Sequence, residues 1–106
     1  LLALATVLFS CVTVKTNTEK SQKSENTTVA TLGSSYENAV IIYEYSESKG
    51  VAAEYKWIRE NYPNSKVMMQ SLTYYKKKPY DIIQIMTADE KSLAVYFDIS
   101  NFFGKF

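Results

Sequence analysis

Apolar positions along the chain gather into short blocks separated by polar stretches, and the spacing inside each block predicts its element. Leu1 to Phe9 is a mainly apolar run of nine residues, too short for the roughly twenty helical residues that cross a hydrocarbon core. Ala39-Val40-Ile41-Ile42-Tyr43 is brief and rich in β-branched residues, which predicts a buried strand. From Val51 onward the period changes: Val51, Tyr55 and Ile58 fall at i, i+4 and i+7, one apolar stripe on a helix that starts after the N-cap candidates Ser46 and Ser48. Pro63 disfavours a helical Tyr62, so the helix is expected to stop near Asn61, with Asn64-Ser65 turning the chain.

Three further strands are predicted, over Lys66 to Tyr75, Tyr80 to Thr87 and Ser92 to Ile99. Their connections, Lys76-Lys77-Lys78-Pro79 and Ala88-Asp89-Glu90-Lys91, are short enough for antiparallel hairpins. The last strand is the clearest, because Leu93, Val95, Phe97 and Ile99 alternate with Ser92, Ala94, Tyr96 and Asp98, the period of a sheet with one buried face. The resulting order, β-α-β-β-β, predicts an α+β two-layer domain: a four-stranded, mainly antiparallel sheet with one helix across one face. The Phe102-Phe103-Gly104-Lys105-Phe106 tail is expected to fold back and cap the core, since an exposed run of that kind would promote aggregation.

Composition narrows the chemistry. The 106 residues carry a net charge of +1 with both signs interspersed, so no basic footprint for nucleic acid is expected. Histidine is absent and Cys11 is the only cysteine, which removes Ser-His and Cys-His nucleophile pairs, His or Cys zinc sites and disulfides together. No cofactor is expected either, because the three glycines, Gly33, Gly50 and Gly104, form no phosphate loop. Glu44, Glu47, Glu54, Glu60, Asp81, Asp89, Glu90 and Asp98 are candidate acid-base groups, and catalysis by them would need two held a few ångströms apart in contrasting environments. Asp89-Glu90 lacks the spacing of a calcium loop.

The segment Leu8-Phe9-Ser10-Cys11 at the end of the first apolar run resembles a bacterial lipobox, and the bulky Phe9 resembles Bacteroidota lipoproteins more than enteric ones. The resemblance implies residues 1–10 as a signal peptide whose positively charged start lies upstream of residue 1. It also implies cleavage before Cys11 and acylation of that residue, with several acyl chains giving a stable anchor. Val12 follows Cys11 where an aspartate would resemble an inner-membrane retention signal, and no acidic cluster of the surface-exported kind is present. The implied location is the periplasmic face of the outer membrane. Residues 12–35 are dense in Thr, Ser, Asn and Lys and without aromatics, so residues 11–35 are read as the lipidated Cys and a disordered tether reaching roughly 25–30 Å, with the domain over residues 36–106. Asn26-Thr27-Thr28 is read as part of that linker rather than as a glycosylation site. The Tyr96-Phe97-Asp98-Ile99-Ser100 strand is similar to the aromatic-rich ends of small Bacteroidota lipoproteins, a likeness that implies no activity.

One helix covers one sheet face, so the opposite face, with Ala94, Tyr96 and Asp98, is the candidate for contact with an envelope protein, peptide or glycan. A second copy in a homodimer, or the C-terminal tail, would also cover it. Tyr74, Tyr75, Tyr80 and Tyr96, with Lys76, Lys77 and Lys78, form the candidate binding surface, the lysines also serving as a solvated hairpin tip that discourages edge pairing. The expected function is a membrane-tethered, non-enzymatic binding or structural module of the cell envelope. The alternatives are an inhibitor or immunity protein against a periplasmic hydrolase, and a small carboxylate hydrolase using Asp81 or Asp98.

Overall fold

A computed structural model describes residues 31–106. The leader, Cys11 and the tether as far as residue 30 lie outside the described residues. The described unit, Thr31–Phe106, holds five elements: β1 (Val40–Ile41), α1 (Glu47–Asn61), β2 (Lys66–Tyr75), β3 (Lys78–Met86) and β4 (Ser92–Asp98). They make one four-stranded sheet in the order β1-β4-β3-β2, with β1 parallel to β4 and the two hairpin pairs antiparallel. The α+β reading holds. The helix carries the chain from one edge strand to the other.

Register explains which side chains are buried. Ile83 pairs with Val95 and Ile85 with Leu93, so alternate residues of β3 and β4 turn the same way. With Val40, Ile42, Phe97 and Ile99 they form the core beneath Ile58 of α1. β2 supplies no fully buried residue and none of the core cluster. The Lys76-Lys77 turn closes the β2–β3 hairpin with φ of 50° and 68°, the left-handed pair of a two-residue I′ turn, here adopted by lysines rather than Asn-Gly.

Three expectations change. The first strand shrinks from Ala39–Tyr43 to Val40–Ile41, since β4 ends at Asp98 and later residues have no strand to pair with. Residues 31–35 pack into the domain ahead of the expected start at 36: Gly33 accepts a hydrogen bond from the Tyr96 N–H at 2.8 Å. A Cβ on Gly33, whose φ is +89°, would meet Val95 at 3.0 Å, so glycine suits this edge on both counts. The C-terminal tail folds back as expected, but onto the helix side. Phe102 is fully buried against Gly50, and the Lys105 carbonyl accepts from the Glu47 N–H at 2.7 Å, serving the helix start that the Ser46 side chain leaves uncapped.

Candidate functional site

The outer face, where the sequence places the tyrosines, is closed at one end by the segment before β1. Tyr36 stacks on Tyr75 with centroids 4.2 Å apart and meets Tyr80 and Tyr96 edge-on at 5.0 and 4.9 Å. These are ordinary geometries for aromatic packing. The Tyr36 hydroxyl donates to Thr73 Oγ1, and the Tyr75 hydroxyl donates to Glu37 at 2.6 Å. That bond lowers Glu37 and raises Tyr75 from their ordinary pKa values. Tyr80 is only 5% exposed, so its ring packs internally and offers little surface to a ligand.

The predicted residues therefore separate. Tyr75, Tyr80 and Tyr96 join one cluster with Tyr36, whose part the sequence reading missed. Tyr74 lies on the other face, edge-on to Phe103 at 6.0 Å. The Lys76 ammonium sits 5.3 Å from the Tyr75 ring centre, while Lys77 occupies the turn. Lys78 reaches Asp98 at 2.8 Å. Burial alone would raise Asp98, but hydrogen bonds from Lys78 and from the Ser100 N–H and hydroxyl outweigh it and hold the carboxyl below its usual range. Tyr36, Tyr75, Lys76, Lys78 and Asp98 share a shallow cleft of about 320 Å³.

A larger groove lies on the opposite side of β1. Val40 to Glu44 form one wall and the helix residues Lys49, Ala53, Lys56, Trp57 and Glu60 the other, around about 560 Å³ that is largely open to solvent. Trp57 is fixed at its base by an edge-on contact with Phe97 at 5.8 Å. Among the described residues β1 has a single neighbour, β4, so within that unit its other edge carries backbone groups without a strand partner. Beyond β1, Tyr43 and Tyr45 are exposed. Lys49, Lys56 and Arg59 face Glu44 and Glu60 around the groove, an excess of one positive charge.

The helix–sheet interface holds a second unforeseen group. Glu54 lies on the buried line Gly50, Glu54, Ile58 and is 0% exposed. Neither of its oxygens has a hydrogen-bond partner of acceptable geometry, yet Asp81 faces it closely enough to act on it by charge. Burial, then repulsion from Asp81, push Glu54 from 4.5 to about 9, so it is protonated at neutral pH and a proton aimed at Asp81 would satisfy both groups. Asp81 is itself raised by burial, against hydrogen bonds that support its charge. One donor is Gln70 Nε2 at 3.1 Å, and Gln70 Oε1 accepts from Tyr55 at 2.6 Å. Spacing could have disclosed Glu54, since it falls between Val51, Tyr55 and Ile58 on the apolar stripe. The contrast between one protonated and one ionised carboxyl is what acid-base chemistry needs, but burial closes this pair to a substrate in the conformation described.

Among the described residues, no group of three or more His, Cys, Asp or Glu is disposed to hold a metal. The fold defines a small α+β domain with an open mixed sheet. Comparison with family models, curated proteins and solved structures gives no match for the chain.

Proposed function

We propose that this chain is a membrane-tethered, non-enzymatic binding module of the bacterial cell envelope, and that its domain takes an extended peptide as an added strand beside β1. The groove between β1 and α1 carries the reading. It joins an open strand edge to a wall of Ala53 and Trp57, the combination by which a main chain is held through hydrogen bonds and alternate side chains enter a groove. Truncation of β1 to two residues fits, because an incoming strand would supply the partner that Tyr43 to Tyr45 lack, whereas Ile42 is already held by Asp98 and Asn101. The surplus cation favours a peptide with an acidic residue. The tyrosine cleft is the weaker candidate, since its rings are engaged with one another.

The tether rests on Leu8-Phe9-Ser10-Cys11, with lipid on Cys11 and the periplasmic face of the outer membrane as the location. Two experiments test the two halves. Metabolic labelling with a clickable fatty acid should mark the full precursor and not Cys11→Ser, with label in the outer-membrane fraction; label independent of Cys11 contradicts the anchor. Selection of displayed random octapeptides should enrich apolar, β-branched sequences bearing an acidic residue that bind wild type and not Ala53→Arg. Enriched sequences indifferent to Ala53→Arg would remove the groove from the account.

A further inference from the structure

The opposite sheet edge is apolar, and its one charged residue, Lys66, stands at the start of the strand. β2 spans ten residues and, among the described residues, has β3 as its one neighbour, so within that unit every second residue presents an N–H and C=O with no strand partner. Val67, Met68, Met69, Leu72 and Tyr74 are between 41% and 60% exposed. These residues occupy both faces of the strand, Leu72 and Tyr74 on the helix side. Between Lys66 and Lys76 the strand has no charged residue and no proline, and the irregularity between Val67 and Met69 is confined to its start.

We infer that β2 pairs with β2 of a second copy, antiparallel about a two-fold axis near Leu72, joining two four-stranded sheets into one of eight. A two-fold axis requires the same patch on both sides, and an uncharged centre with similar apolar residues to either side meets that requirement. The five exposed residues present roughly 500 Å² per copy, main chain included, so two copies hold at most about 1,000 Å², the lower bound for a specific interface. Lys66 and Lys76 stand at the strand ends, where they oppose association without interrupting the centre. Added salt should therefore strengthen the pairing. The groove beside β1 lies at the other edge of the sheet and stays open, so this inference is independent of the peptide reading.

The test is sedimentation of the full chain carrying Cys11→Ser, at protein concentrations up to on the order of 100 µM. The wild-type sheet should give a concentration-dependent dimer. Leu72→Lys and Leu72→Glu should each weaken it by at least about 50-fold through like charges placed across the axis. An equimolar mixture of the two variants should restore a dimer, which also shows that both remain folded. A chain that stays monomeric throughout, or association unaffected by either variant, overturns the inference. Amide exchange on the unaltered sheet gives a second reading: alternate β2 amides should gain protection as concentration rises, and β2 amides whose exchange ignores concentration overturn it as well.

Discussion

Glutamate 54 makes the stability of this domain depend on pH in the direction opposite to acid denaturation. Its carboxyl is raised from 4.5 to about 9 by burial and by Asp81, so between those values the folded chain holds a proton that the unfolded chain has released. Its stabilising contribution is therefore fully present below about pH 4.5 and is lost as pH rises towards 9. Each pH unit inside that window is worth at most about 1.4 kcal/mol, and the whole shift about 6 kcal/mol, comparable with the entire stability of a small domain at about 5 kcal/mol. Relaxation and entry of water around an ionised Glu54 reduce that limit, and a loss of about 2 kcal/mol between pH 5 and pH 8 is expected. Asp81 is raised as well and acts in the same direction. Asp98 is lowered from 3.8, so its contribution is present above that value and lost only as pH falls further, outside the window. Urea unfolding followed by Trp57 fluorescence at pH 5, 6, 7 and 8 measures the slope, and Glu54→Gln, neutral throughout, should flatten it. The variant should match wild type near pH 5 and exceed it by about 2 kcal/mol at pH 8. Parallel curves for the two proteins, or wild-type stability rising with pH, would refute the argument.

Three further substitutions test the packing. Gly50→Ala gains about 1 kcal/mol of helix propensity, yet its Cβ would lie 2.2 Å from the Phe102 ring, so thermal unfolding should show a net loss of about 2 kcal/mol. Asp98→Ala leaves Lys78, the Ser100 N–H and the Ser100 hydroxyl without their acceptor; chemical unfolding should report a loss of about 2 kcal/mol, and a loss below about 0.5 would mean that solvent replaces the carboxylate. Replacing Lys76-Lys77 by Asn-Gly relieves two positive-φ lysines and should raise stability by about 0.5–1 kcal/mol in the same assay.

Periodicity alone makes much of this fold legible in the sequence. Alternation along Leu93, Val95 and Phe97 marks the buried face of β4, and Pro63 marks the end of the helix at Asn61, two residues before it. Local pattern failed where distant groups decide the outcome. Val40 to Tyr43 look like a full strand, but strand length depends on how far β4 extends beside them. Tyr36 gives no local sign of lying across Tyr75, Tyr80 and Tyr96, because that contact joins the segment before β1 to three later strands. Glu54 is different, since its place on the apolar stripe between Val51 and Ile58 is readable in the sequence. The candidate surface around Lys76 was read as continuous, whereas the pleat sends Tyr74 and Tyr75 to opposite faces.

Nuclear magnetic resonance on the isotopically labelled chain with a selected octapeptide tests peptide addition at β1 most directly. The account predicts shifts in the amides of residues 41–45 and of α1 residues 49–60, with a ladder of intermolecular contacts between the peptide backbone and Ile41 to Tyr43. Shifts confined to Tyr36, Tyr75 and Lys78, or to β2, with no contact along β1, would contradict it.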